Sequence, residues 1–132
     1  MDNKIDRKKV LIVGEYKLAK AIASSLLKRG CSVTVINDDS EECERLAEIK
    51  GLSVIFGNGT RKSVLKDASA ESRDIVIAVT ECDEKNLIIS EICKDEFKVK
   101  RTIALLEDGE KSSFFYKMGV DRIISPLNMV TT

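Results

Sequence analysis

The stretch that decides the fold is VLIVGEYKLA, residues 10–19, in which an apolar run leads into a glycine and then into a segment of helical period. A continuously apolar run of this kind is typical of a parallel strand that is covered on both faces. After Gly14, apolar residues recur at helical spacing, among them Leu18 and Ile22, which predicts a helix over residues 17–29. We therefore expect a strand, a tight turn at Gly14 and a helix that packs back on the strand.

The same alternation of strand and helix continues along the chain. Further apolar runs predict strands at residues 33–36, 54–56, 75–79, 102–106 and 123–124. Helices are predicted over about residues 40–50, shortly after Thr60, over 83–95 and over 110–118. Ser40 is the expected N-cap of the first of these. In the helix over 83–95, the residues expected to face inward are Leu87, Ile88, Ile92 and Cys93. Right-handed crossovers between such units give an α/β fold, a Rossmann-like doubly wound parallel sheet of six strands in the order 3-2-1-4-5-6, with helices on both faces.

Composition and charge limit the function before any motif is considered. The 132 residues include 22 Lys and Arg, 22 Asp and Glu, and no His. A balanced charge without a basic face argues against nucleic acid as a partner. The absence of His excludes Ser-His and Cys-His mechanisms within this chain. We expect a single domain over residues 1–132, with a basic N-terminal tail at residues 1–8.

The cysteines and the apolar runs indicate a protein of a reducing cytoplasm. Cys31, Cys43, Cys82 and Cys93 are widely spaced, form no CxxC pair, and have no His with which to complete a zinc site. We interpret them as structural thiols. No apolar stretch approaches the roughly 20 residues that a membrane-spanning helix requires, so we expect no direct membrane insertion.

A ligand crevice is expected outside the carboxyl ends of the strands, beside the point where the strand order reverses. The first of these ends has the spacing of a GxGxxG fingerprint, but Gly14 alone is kept, and Tyr16 and Ala19 replace the other two glycines. Tyr16 places a phenol at the second glycine position of the fingerprint, where the absence of a side chain lets the backbone approach the pyrophosphate. The backbone amides at the helix start still favour an anion, and Lys17 adds a positive charge beside them. Phosphate binding is therefore expected to be weakened but is not excluded.

The end of the second strand carries the residues expected to meet a ribose. Asn37 stands where the fingerprint calls for an acid, and Asp38 follows it directly. Either the amide or the neighbouring carboxylate can accept a hydrogen bond from a ribose hydroxyl. Further acids at Asp39, Glu41 and Glu42 argue against a 2′-phosphate and therefore against NADP. An alternative interpretation is a turn and helix cap that needs no ligand.

Further segments carry a family resemblance. They are VIAVTECDEKNL at residues 76–87, GNGT at 57–60, VKRTIA at 99–104 and MGVDRIISP at 118–126. In this order they resemble the fourth strand and following helix, the Gly-Asp-Ala-Thr turn, the fifth strand and the strand-six ending of the TrkA-type regulator domains (TrkA-N, also called RCK or KTN domains). The likeness covers about residues 8–127. Where the family continues into a crossing helix, we interpret residues 127–132 as a truncated C-terminal extension.

The resemblance implies a cytoplasmic regulatory domain of a potassium transport system that senses an adenine nucleotide, namely NAD(H), ATP, ADP or AMP. It implies a membrane channel or transporter subunit as partner, a peripheral position at the inner face of the cell membrane, and assembly into homo-oligomers. Carried over by position, the binding residues are Gly14, Glu15, Tyr16, Lys17 and Leu18 at the phosphates, Asn37 and Asp38 at the ribose, Asn58 and Gly59 on the adenine side, and Val79 and Thr80 at the far end. The chain departs from the family at Tyr16, Asn37, Asn58 and Leu105, the last in place of an arginine.

Other functions remain open from the sequence. A degenerate assembly subunit that no longer binds nucleotide fits the loss of glycine at Tyr16. A small NAD-dependent oxidoreductase fits the fold, but the chain offers no second domain for a substrate and no His as proton donor. Ligand binding and NADH consumption distinguish the three possibilities.

Overall fold

The computed structural model describes residues 5–125, which form a six-stranded sheet in the order β3-β2-β1-β4-β5-β6. Every neighbouring pair is parallel. The strands are β1 (Lys9–Gly14), β2 (Ser32–Asn37), β3 (Ser53–Phe56), β4 (Ile75–Val79), β5 (Arg101–Leu105) and β6 (Arg122–Ile124). The helices are α1 (Tyr16–Lys28), α2 (Ser40–Ala47), α3 (Lys62–Asp67), α4 (Asp83–Asp95) and α5 (Ser112–Lys117), with 3-10 turns at Ala70–Ser72 and Gly109–Lys111. The predicted fold class and strand order are confirmed.

The central strand β1 explains why its sequence is apolar throughout rather than alternating. Val10 and Ile12 belong to an apolar cluster on one face of the sheet, together with residues of α1 and α2. Leu11 and Val13 belong to a second cluster on the opposite face, together with residues of α3 and α4. Because successive side chains of a strand point to opposite faces, a strand covered on both sides buries every residue. Full burial of each such side chain is worth about 1.5–3 kcal/mol.

Both ends of α2 differ from the sequence-based expectation. The N-cap of α2 is Asp39 rather than Ser40, because the Asp39 carboxylate accepts a hydrogen bond from the backbone N–H of Glu42 at 3.0 Å. The same helix ends at Ala47 rather than near residue 50. Its last turn tightens through bonds from the N–H groups of residues 48 and 49 to carbonyls three residues earlier, before Gly51 turns the chain at a φ of +88°.

The inward face of α4 was also predicted incorrectly at one position. Ile88 is 41% exposed, whereas Ile89 and the polar residue Asn86 are fully buried. The apolar pattern is misleading here because α4 buries the polar side chain of Asn86, which has hydrogen-bond partners inside the protein. The buried face of the helix is therefore shifted by one residue from the predicted one. The last predicted helix, 110–118, is a 3-10 turn followed by the shorter α5. Residues 127–132 and the first four residues of the predicted N-terminal tail lie outside the described residues.

Candidate functional site

A cleft of about 340 Å³ lies at the carboxyl ends of β1 to β4. The strand order reverses between β1 and β4, so the cleft has the position that the doubly wound topology predicts for a ligand site. Its walls come from the loops that follow four successive strands. The residues that line it are Val13, Gly14, Glu15, Ile36, Asn37, Asp38, Asp39, Glu42, Gly57, Asn58, Gly59, Thr60, Thr80, Glu81, Cys82, Lys85 and Ile89.

The structure brings most of the predicted binding residues to this cleft. Those that line it are Gly14, Glu15, Asn37, Asp38, Asn58, Gly59 and Thr80. Those that do not line it are Tyr16, Lys17, Leu18 and Val79. Val79 is buried in the apolar cluster on the α1 side of the sheet. The side chain of Lys17 is exposed, and the backbone N–H groups of Lys17 and Leu18 are the parts that face the turn after β1.

The turn after β1 closes on itself through Glu15. Glu15 is the N-cap of α1, in an extended conformation, and its carboxylate accepts hydrogen bonds from the backbone N–H groups of Lys17 at 3.2 Å and Leu18 at 2.5 Å. These N–H groups have no partner inside the helix and carry the positive end of its dipole. The anion-binding position that the sequence predicts at this helix start is therefore occupied by a carboxylate of the chain itself.

Tyr16 points away from this position. Its ring packs against the α1-side apolar cluster, and the Arg45 guanidinium carbon lies 4.2 Å from the ring centroid. Lys20 Nζ lies 5.6 Å from the same centroid. Cation–π contacts of this kind are worth about 0.5–1 kcal/mol at exposed sites. The phenol that the sequence places among the phosphates therefore contacts α2 and the core instead.

Gly14 is required by the packing of the sheet as well as by the turn. A Cβ at this position would lie 2.5 Å from the backbone oxygen of Val79. The neighbouring N–H of Glu15 donates to that same oxygen at 3.3 Å, so the turn after β1 is tied to the end of β4. The close approach of these strands explains why this glycine is retained while the others of the fingerprint are replaced.

Asn37 is almost fully occupied by internal hydrogen bonds. Its Nδ2 donates to the Gly14 carbonyl at 3.0 Å and to Glu42 Oε1 at 2.9 Å, and its Oδ1 accepts from the Asp39 N–H at 2.8 Å. The side chain is 4% exposed. Asn37 thus joins the ends of β1 and β2 and shapes the cleft wall.

Asp38 presents the uncommitted carboxylate at the end of β2. It is exposed, lines the cleft and makes no side-chain hydrogen bond or ion pair with the described residues. Asp39 beside it caps α2. Burial raises the pKa of the nearby Cys43 thiol, and the charges of Asp39, Glu42 and Asp38 raise it further. Cys43 is therefore a protonated, structural thiol beneath an acidic wall.

The turn after β3 brings Asn58 and Gly59 to the opposite side of the cleft. Asn58 Oδ1 accepts hydrogen bonds from the N–H and the hydroxyl of Thr60, at 2.9 Å and 2.7 Å. This side chain-to-backbone bond is an Asx turn, a typical role of Asn in loops. Gly59 is buried against Val13, whose side chain would collide with any Cβ there. The backbone at Gly59 therefore forms part of the cleft floor.

A buried asparagine that the sequence analysis gave no role, Asn86, fixes the loop after β4. Its Oδ1 accepts from the N–H and the hydroxyl of Thr80 at 2.8 Å and 2.7 Å. Its Nδ2 donates to the carbonyls of Thr80 and Leu105 at 3.1 Å and 2.9 Å. A polar residue on the buried face of an amphipathic helix is the signal that could have identified it.

The charge of the cleft is strongly negative. The charged residues that line it are five carboxylates, Glu15, Asp38, Asp39, Glu42 and Glu81, and one ammonium, Lys85. Within residues 5–125, no group of three or more acidic or cysteine side chains is arranged to hold a metal ion. The described part of the chain also contains no helix with the length and hydropathy needed to cross a membrane.

Comparison with known proteins gives one family. A sequence model of the TrkA-N domain matches residues 10–126. The Trk system potassium uptake protein TrkA homolog of Methanothermobacter thermautotrophicus is 32% identical over 117 residues, covering 89% of this chain and 54% of that protein. Trk system potassium uptake protein TrkA of Haemophilus influenzae is 29% identical over 129 residues, covering 93% of this chain and 28% of that protein. The chain thus spans about half or less of the length of these relatives.

Solved structures with low sequence identity share the fold. The TrkA-N domain of inner membrane protein ybaL from Escherichia coli has a TM-score of 0.85 at 15% identity, covering 94% of this chain and 91% of that one. The GsuK channel bound to NAD has a TM-score of 0.80 at 19% identity, covering 98% of this chain and 23% of that one. The Shewanella denitrificans Kef CTD in AMP-bound form has a TM-score of 0.77 at 18% identity, covering 93% and 74%.

Proposed function

Because the chain belongs to the TrkA-N domain family, we propose that it is a regulatory domain of a potassium transport system and binds an adenine nucleotide in the cleft. The observation that carries the proposal is the cleft itself, built by loops from four parallel strands at the point where the strand order reverses. The names of the TrkA relatives support the potassium transport system. The NAD-bound GsuK channel and the AMP-bound Kef domain support an adenine compound as the ligand class.

In this proposal Asp38 binds the ribose. A ribose hydroxyl needs an acceptor at the end of β2, and Asn37 has its amide group committed to Gly14, Glu42 and Asp39. The Asp38 carboxylate is free among the described residues and faces the cleft. The adenine would lie toward Asn58 and Gly59, which line the cleft on the side of the turn after β3. A 2′-phosphate would meet the acids of α2, which disfavours NADP.

The proposed role is sensing rather than catalysis. A ligand that touches the loops after β1, β2, β3 and β4 at once favours the arrangement of those loops to which it binds best. In a homo-oligomer, such a bias can be transmitted to a membrane channel or transporter subunit at the cytoplasmic face. The sequence contains no His, and we propose no reaction for the cleft.

A titration with matched variants tests the proposal. We expect adenosine, AMP, ADP, ATP, NAD or NADH to raise the melting temperature of the protein. At a ligand concentration 100 times Kd, the free energy of unfolding should increase by about 2.7 kcal/mol. Asp38→Ala should lose at least tenfold in affinity. Glu71→Gln, in the exposed 3-10 turn away from the cleft, should bind as the original chain does.

Two results would contradict the proposal in different ways. If no compound binds, the chain is better described as a degenerate assembly subunit, a function favoured by the Glu15 carboxylate at the start of α1. If NADH is oxidised in the presence of a carbonyl compound, the oxidoreductase alternative is favoured.

A further inference from the structure

We infer that Glu15 determines ligand specificity in the cleft, so that the site binds the nucleoside part of an adenine compound and gains no affinity from its phosphates. This inference rests on the proposed function, because it concerns the same cleft. It begins from the backbone N–H groups of Lys17 and Leu18, which are among the donors that the helix start offers to a phosphate. Both already donate to the Glu15 carboxylate.

A phosphate can reach these N–H groups only by displacing Glu15. The carboxylate carries its own negative charge and is held by two hydrogen bonds, one to each of its oxygens. Hydrogen bonds between an ionised acceptor and a helix N-terminus are among the stronger ones in proteins. A displaced carboxylate would also stay close to the incoming phosphate, since both belong at the same helix start. The like charges would then repel each other.

The rest of the cleft does not compensate for this cost. Lys85 is the one cationic side chain among the residues that line it, against four further carboxylates. Lys17, which the sequence suggests as a phosphate partner, is exposed and does not line the cleft. The positive charges of Arg45 and Lys20 lie over the Tyr16 ring. An uncharged nucleoside escapes these repulsions and keeps the ribose and adenine contacts.

The test is a comparison of ligands within each variant. The dissociation constants of adenosine, AMP, ADP and NAD are measured by calorimetry for the original chain, Glu15→Ser and Glu15→Gln. We expect the original chain to bind adenosine at least as tightly as the three phosphorylated compounds. Serine is neutral and can still cap the helix. In Glu15→Ser the affinities for ADP and NAD should therefore increase about 10- to 100-fold relative to the affinity for adenosine.

Two charge-matched controls make the result specific to Glu15. Glu71→Gln lies outside the cleft and should leave the ADP-to-adenosine ratio unchanged. Glu81→Gln removes a cleft carboxylate that does not bind the N–H groups of α1, and should change the ratio by less than about threefold. If Glu81→Gln changes the ratio as much as Glu15→Ser does, the effect is general electrostatics and the inference is overturned.

The outcome also separates this inference from the proposed function. If the original chain binds ADP tenfold more tightly than adenosine, and Glu15→Ser leaves that ratio unchanged, the inference fails and the nucleotide site stands. If no variant binds any of the four compounds, the proposed function fails and the inference fails with it. Adenosine affinity within each variant checks that the cleft remains intact, because adenosine carries no phosphate for the Glu15 carboxylate to repel.

Discussion

Replacement of Asn86 by Ala should strongly destabilise the protein, because Asn86 supports the loop after β4 from beneath the cleft. The Asn86 side chain is fully buried and uses both its oxygen and its amide group, with two hydrogen bonds to each. Its removal leaves the N–H and carbonyl of Thr80 and the carbonyl of Leu105 without these partners. A buried polar group left unsatisfied costs about 1–3 kcal/mol.

The expected loss in free energy of unfolding is about 3–5 kcal/mol, summed over these groups. The groups of Thr80 contribute less than their full cost, because Thr80 is half-buried and water can partly replace its lost bonds, whereas Leu105 is buried. That is a large part of the ~5–15 kcal/mol typical of a domain. Asn86→Asp should be at least as harmful, because a carboxylate cannot donate to the two carbonyls that Asn86 Nδ2 contacts.

Urea unfolding followed by circular dichroism measures this loss directly, with the slope m as a check that the same surface is exposed. Asn58→Ala is the matched control, since Asn58 is exposed and bonds only within its own turn. The control should lose less than about 1 kcal/mol. If Asn86→Ala unfolds within about 1 kcal/mol of the original chain at unchanged m, the account of Asn86 as the link between β4 and β5 is wrong.

Further predictions concern charge, thiols and helix caps. Partial burial raises the pKa of Asp121, but hydrogen bonds from Lys94 and from a backbone N–H outweigh it and lower that pKa below 3.8. Because a lowered folded-state pKa stabilises above the unfolded value, the stability difference between the original chain and Asp121→Asn should shrink as the pH falls below about 4, in urea unfolding across pH. A thiol reagent should modify the partly exposed Cys82 in the native protein. Cys93 should react only after unfolding, because burial raises the pKa of its thiol to about 12. Mass spectrometry of the labelled protein distinguishes the two thiols. Asp39→Ala should cost about 1 kcal/mol by the same unfolding assay and Ser40→Ala much less, because Asp39 is the cap of α2.

The fold could be predicted because burial on both faces of a parallel sheet leaves a direct trace in the sequence. The runs at residues 10–13 and 75–79 are apolar throughout because β1 and β4 lie at the centre of the sheet. The position of the cleft followed from the same reasoning, since topology alone places the ends of β1 to β4 at one edge. Helix ends were less accurate, since Asp39 and Ser40 are both good caps and only the side-chain geometry chooses between them.

The details of the site could not be predicted because they depend on side-chain direction. In the sequence Tyr16 is the residue that breaks the glycine fingerprint, yet its ring packs toward Arg45 and does not cover the helix start. Glu15 was assigned to the phosphates by position alone, since the fingerprint allows any residue there, and its carboxylate instead accepts hydrogen bonds from the N–H groups of Lys17 and Leu18. Asn86 was quoted only as part of a motif, because its hydrogen bonds to Thr80 and to Leu105 depend on how the helix packs against the loops after β4 and β5.

The proposed function requires that an adenine compound bind at the carboxyl edge of β1 to β4. Titration of the 15N-labelled protein with adenosine and then AMP tests it residue by residue. We predict saturable shifts of the backbone N–H signals of Asp38, Gly59 and Thr80 with both compounds, and no added shift at Lys17 and Leu18 with AMP. The absence of shifts at all of these residues at millimolar ligand, or shifts confined to a surface away from the cleft, would contradict the claim.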